Sequence, residues 1–128
     1  MALPSTPTGR ALLCARTALG LSTLLAPRFA AKAFLLVLDD NPQLPVMGRM
    51  WGIQNLSLAA GMYAATGANR GQWWRLQPAV DALDFLAIAM EWRRGAVPGP
   101  AAGVMAATAV AAGTLGALSV AGESEQRR

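Results

Sequence analysis

Residues 73–93 read WWRLQPAVDALDFLAIAMEWR. A tryptophan pair opens this stretch and Trp92 closes it, and the apolar sequence between them carries Asp81, Asp84 and Glu91. About 20 helical residues cross the roughly 30 Å hydrocarbon core of a bilayer, and Trp at both ends of an apolar segment marks the interfacial belt. Asp81, Asp84, Ile88 and Glu91 stand at i, i+3, i+7 and i+10, so in a helix they share one face. That face must look inward, while the opposite face, with Leu86 and Ala87, can meet lipid.

Working outward, three further segments have the same length and character. Residues 101–122 are uncharged and mostly Ala, Gly and Val. Residues 44–67 (LPVMGRMWGIQNLSLAAGMYAATG) form another, with Arg49, Gln54, Asn55 and Ser57 as polar members. Residues 9–26 (GRALLCARTALGLSTLLA) form the first, interrupted by Arg16 and ended by Pro27, since proline cannot continue a helix without losing a hydrogen bond. Between the first and second segments, the run Phe34–Leu38 is too short to span. Residues 28–43, with Arg28 and Lys32 before the run and Asp39–Asp40 after it, read as a short helix lying in the interface, then a turn at Asn41–Pro42. The linkers ANRGQ (68–72) and RGAVPGP (94–100) read as loops. No strand-like alternation occurs, and helices satisfy their own backbone groups in lipid. The sequence therefore predicts an all-α fold: a four-transmembrane-helix up-and-down bundle with a short interfacial helix between helices one and two. Residues 1–8 are expected to be a disordered tail, 9–122 a single transmembrane domain, and 123–128 a solvated C-terminal tail.

Composition agrees with this organisation. Of the 128 residues, 54% are hydrophobic and 14% charged, against about 25% charged in an ordinary soluble domain. The net charge of +4 comes from scattered Arg residues flanking or interrupting apolar segments. That suits anchoring at anionic headgroups and lacks the clustered patch that nucleic-acid binding needs. With cytoplasmic termini, Arg10, Arg70, Arg75, Arg127 and Arg128 lie inside and Arg28, Lys32, Arg93 and Arg94 outside; this small excess favours that orientation in a cell membrane. A cleaved signal peptide ending at Ala31–Lys32–Ala33 is the rival reading of the first segment, and Arg16 in its middle argues against it. Cys14 is the single cysteine and histidine is absent, so a Ser-His-Asp or Cys-His catalytic arrangement is excluded. No metal or cofactor site of the usual zinc or haem kind is expected.

The charges inside the spans are the informative feature, because each costs about 2.5–3.5 kcal/mol near the bilayer centre. Counting depth along an up-and-down bundle at 1.5 Å per residue puts Arg16 level with Asp81 and Asp84, and Arg49 level with Glu91 at the opposite membrane face. Two ionic layers are predicted, Arg16 with Asp81/Asp84 and Arg49 with Glu91, with Arg49 alternatively snorkelling toward Asp84. Asn55 joins these as a candidate binding residue. Small residues spaced by four (Gly48/Gly52, Gly99/Gly103, Ala109/Gly113 and Gly113/Ala117) allow close helix approach, within the chain or in a homodimer through the last segment.

The stretch Gly48–Arg49–Met50–Trp51–Gly52–Ile53–Gln54–Asn55–Leu56, with Ala60–Gly61–Met62, resembles a family of small four-helix membrane proteins of unknown function, similar in architecture to the DoxX-like group. In that family an Arg opens the second helix, a Gly-Ile-Arg-Asp/Asn-Leu core and a later Gly follow, and an Asp pair sits on the third helix. Arg49, Gly52, Ile53, Asn55, Leu56 and Gly61 match the first part and Asp81 and Asp84 the second; Gln54 departs from it, standing where the family often has Arg. The resemblance runs over residues 9–120 and implies the fold more than an activity.

Three functions fit these residues. The preferred one is a non-catalytic membrane protein, either a small subunit of a larger complex or a binder of a hydrophobic small molecule, with buried Arg/Asp pairs. The alternative is a membrane-embedded, cofactor-free acid–base enzyme (a cyclase, isomerase or epoxide-opening hydrolase) with Asp81 or Asp84 as catalytic acid. The third is a proton or ion carrier, which a unit of this size could serve only as an oligomer.

Overall fold

The computed structural model describes residues 3–38 and 41–125, and among these residues the chain is all-α, with five helices and no strand. Helix α1 spans Pro7–Leu25, α2 Pro27–Ala33, α3 Leu44–Ala64, α4 Gly67–Arg93 and α5 Gly99–Glu125. Local chemistry sets the boundaries. Thr6 is the N-cap of α1, its hydroxyl accepting from Gly9 N at 3.1 Å, and Pro7 takes the first turn, where its missing N–H has no intrahelical use. Pro27 separates α1 from α2 in the same way.

Helix α2 ends in a Schellman motif. Leu36 N donates to Ala31 O and Leu35 N to Lys32 O, both at 2.9 Å, with Leu35 in the left-handed region at φ 58°. The short helix expected within residues 28–43 is thus α2, which ends ahead of the Phe34–Leu38 run. The expected turn follows, with Leu44 N donating to Asn41 O at 3.3 Å and Gln43 N to Asn41 Oδ1 at 3.1 Å. Asp39 and Asp40, which the sequence places between run and turn, lie outside the described residues, as do Arg127 and Arg128.

Two further expectations change. ANRGQ is not a loop: α4 takes it in and starts at Gly67, a φ of +57° there reversing the chain after α3. The ends are also tied down. Pro4 and Thr6 are buried, and Glu123 is buried where its side chain takes hydrogen bonds from Ser5 N and Oγ and from Arg70 Nε and Nη2. The N-terminal segment is therefore packed from residue 4 onward, and Glu123 belongs to α5, because each supplies a polar partner that the other end of the chain needs.

The four long helices pack in a ring. Helix α1 lies against α3 and α5, α4 lies against α5 and more lightly against α3, and α2 folds over α1 and α3. Neighbours run antiparallel, as the contacts Gly20–Gly52, Gly61–Trp73, Gly113–Asp81 and Thr6–Gly122 require. The diagonal pair α1 and α4 makes no backbone approach within 8 Å, so the centre is filled by side chains alone.

Polar side chains are buried between the helices and many large apolar ones stand outside. Arg16, Thr23, Asn55, Gln77, Asp81, Ser119 and Glu123 are buried, whereas Leu83 is 65% exposed, and Phe29, Val46, Ile53, Leu86, Met90, Val110 and Leu118 are also exposed. Among the described residues α5 alone is long and apolar enough to cross a membrane, and most of it faces outward. The expectation of four spans thus reduces to one, because polar residues lower the hydropathy of the other long helices: Arg10 and Arg16 in α1, Arg49, Gln54 and Asn55 in α3, and Arg75, Asp81, Asp84 and Glu91 in α4.

The tryptophans divide. Trp92 is exposed as an interfacial residue would be, but Trp74, expected in the belt, is buried with Leu12 and Met62. Trp73 lies over Gly61, where a Cβ would collide with its ring.

Candidate functional site

The centre of the ring is held by one guanidinium. Arg16 donates from Nε to Gln77 Oε1 at 2.6 Å, from Nη1 to Asn55 Oδ1 at 3.0 Å and from Nη2 to Asp81 Oδ2 at 2.7 Å. The amide nitrogens of Asn55 and Gln77 donate in turn to the carbonyls of Trp51 and Trp73, four residues back on their own helices. Each member thus has hydrogen-bond partners within the network or on its own helix, which ties these buried polar groups to one another. Arg16 on α1, Asn55 on α3 and Gln77 with Asp81 on α4 are all at least nine-tenths buried, so the network ties three helices at one depth. Gly113 of α5 lies against Asp81, an added Cβ there coming within 3.3 Å of the Asp81 Cβ; the small residue lets α5 close over the carboxylate.

The structure therefore brings together Arg16, Asn55 and Asp81 of the candidate residues. Arg49 and Glu91 do not pair. Arg49 is exposed and turns to the end of α1, Nε approaching Leu24 O at 3.4 Å, where C-terminal carbonyls lack intrahelical partners. Glu91 is taken by Arg94 one turn along, at 2.8 Å. Local geometry wins over matched depth in both cases.

Gln77 is the member that the sequence reading missed. The signal was available: it lies four residues before Asp81 and so on the same face of α4. The cluster of Ser5, Arg70 and Glu123 was missed because its residues fall in stretches read as tail or loop.

Above the Arg16 layer lies a cavity of about 630 Å³. Leu19, Ala30, Met47, Ile88, Met105 and Leu115 represent its walls from all five helices, and Phe34 and Leu36, just past the end of α2, line it as well. Polar groups are few: Arg16, Asn55 and Asp81 at the base, Thr23 and Thr108, and Asp84. Trp51 also lines it, its ring edge-on to Phe34 at 5.3 Å between centroids, with its indole nitrogen 3.5 Å from Asp84 Oδ2. The cavity is partly open, and an apolar cleft of this size with a small number of converging polar groups is the usual form of a small-molecule site. Comparison with protein families, with curated proteins and with solved structures finds no match for the chain.

Proposed function

We propose that this chain is a four-helix integral membrane protein, DoxX-like in architecture, that binds an apolar small molecule in the cavity above Arg16 and acts without catalysis, alone or as a subunit of a larger membrane complex. The observation that carries the reading is the inversion of polarity. The buried residues include a guanidinium, a carboxylate and two carboxamides, while large apolar side chains stand on the outside of α1, α3, α4 and α5. A soluble protein rarely leaves so much apolar surface open; in a bilayer that surface is in its preferred solvent, and α1 and α4 cross with Arg16 and Asp81 turned inward, while the exposed Arg10, Arg49 and Arg75 stand in the first third of their helices, from which long side chains snorkel to the interface. Helix α2, with Arg28, Phe29 and Lys32 exposed, would lie at the headgroup level with the termini on the cytoplasmic side.

Within that setting the Arg16–Asp81 pair is structural, because the two are spent on each other and Arg16 also holds Asn55 and Gln77. The cavity is the part left to act. The test is native mass spectrometry of the protein in zwitterionic nanodiscs, with Ala109→Phe and Ala112→Phe as variants that fill the cavity from α5. An apolar compound that accompanies the wild type and leaves in both folded variants supports the reading; a wild type that carries nothing and takes up no added apolar compound overturns it. The acid–base enzyme is the second reading, favoured by one feature: Asp84 faces the cavity with no cation beside it among the described residues. In that case Asp84→Asn would leave a folded protein in whose host membranes a substrate accumulates.

A further inference from the structure

On the reading that the cavity holds a small molecule, we propose that its occupant carries a cationic amine, held by the Asp84 carboxylate. The charged groups that line the cavity are Arg16, Asp81 and Asp84. Arg16 has its Nε and both terminal nitrogens engaged by Gln77, Asn55 and Asp81. The guanidinium and Asp81 therefore cancel, and Asp84 leaves the cavity with one uncompensated negative charge. Its polar neighbour is the Trp51 indole N–H at 3.5 Å, a long and neutral contact. A half-buried charge against apolar walls gains from a counter-charge, and among the described residues no cation reaches Asp84 to pair it.

Ligand chemistry follows from this imbalance. A carboxylate or phosphate head would meet two carboxylates and a guanidinium already engaged by three side chains. An alcohol could donate to Asp84 but would leave the charge in place. An ammonium group both donates and neutralises, forming the stronger, charge-assisted kind of hydrogen bond. Trp51 and Phe34 line the same cavity, and an aromatic face within about 6 Å of an ammonium adds attraction of its own. The remainder of the occupant must be apolar to match walls such as Leu19, Met47, Ile88 and Met105.

Three fluorescent probes that share one apolar body test this: pyrenemethylamine, pyrenemethanol and pyreneacetic acid, titrated into wild type in zwitterionic nanodiscs against empty discs. The amine should bind about tenfold more tightly than the alcohol, as one charge-assisted hydrogen bond implies, with the acid weakest. Asp84→Asn should lower amine affinity about tenfold and leave the alcohol unchanged, and Asp84→Glu should keep the amine preference. An alcohol that binds as well as the amine, or an amine affinity indifferent to Asp84→Asn, overturns the cationic head while leaving the cavity reading intact. If none of the three binds above empty discs, the cavity reading fails and the cationic head fails with it.

Discussion

Arg16 and Asp81, 65 residues apart in sequence, meet through a 2.7 Å bond between Nη2 and Oδ2 at the centre of the molecule, each side chain only 4% exposed. Their helices bring no Cα atoms within 8 Å of each other, so the diagonal of the ring is spanned by side chains. Removing one member of a buried pair leaves an unbalanced charge and costs about 3–5 kcal/mol, whereas replacing both by apolar residues is often close to neutral. Thermal unfolding in nanodiscs should show Asp81→Asn and Arg16→Met each strongly destabilised. The double variant Arg16→Met/Asp81→Leu should recover a large part of the loss, short of all of it because Asn55 and Gln77 lose their shared donor. Additive losses in the double variant would mean that the two residues are not coupled.

Close helix approach makes a second prediction. A Cβ on Gly52 would come within 2.8 Å of Gly20 O and Leu24 N, both backbone atoms that cannot swing away. Gly103 has nothing within 4 Å. Gly52→Ala should therefore destabilise by about 2 kcal/mol or more, in the range of overpacked interiors. Gly103→Ala should be neutral or gain up to about 1 kcal/mol from helix propensity. Denaturation of the two variants side by side separates them; a Gly103→Ala that instead breaks a dimer on a sizing column would assign that glycine to contact between copies.

Leu35 and Gly95 occupy equivalent places. Each lies one residue past a helix-capping position in the left-handed region, at φ 58° and 76°, and in both motifs the next residue donates back into the helix, Leu36 N to Ala31 O and Ala96 N to Glu91 O. An L side chain in this conformation costs roughly 1–2 kcal/mol that glycine avoids. Leu35→Gly should therefore stabilise and Gly95→Ala destabilise, by about 1 kcal/mol each; Gly95 has open space around its Cβ position, so conformation alone decides its sign. Equal effects of the same sign in thermal unfolding would contradict this.

Glu123 joins three parts of the chain, taking hydrogen bonds from Ser5 and Arg70 while its own helix ends beside them. Glu123→Gln keeps the shape and removes the charge. At about 1 kcal/mol for each hydrogen bond weakened, the N-terminal segment should open more often without melting the centre. Hydrogen exchange should rise at Thr6 to Arg10 in Glu123→Gln and stay unchanged around Asn55 and Gln77. Faster exchange throughout would mean that the clasp supports the whole fold.

How much of this was legible beforehand depended on the range of the interactions concerned. Helix existence and spacing were readable from apolar runs and prolines, because these are local properties of the chain. Arg16 and Asp81 were readable as level with each other, since rise per residue converts sequence count into depth. Gln77 shares the face of Asp81 and could have been found by the same spacing. The partner of Arg49 could not: its carbonyl acceptor at Leu24 exists only because α1 ends beside α3, and Glu91 had a nearer cation in Arg94. Trp74 looked like Trp73 in sequence, and only the packing of α1 and α3 decided which of the two rings is enclosed.

The sequence by itself determined that the chain is helical, that Arg16 and Asp81 stand at one depth, and which face of α4 carries its carboxylates, because periodicity and rise per residue act on a single helix. Only the tertiary structure decided that one arginine serves three helices, that the two chain ends clasp at Glu123, and that Asp84 is left facing an apolar cavity without a counter-charge, because each of these rests on distances between residues that sequence order does not set.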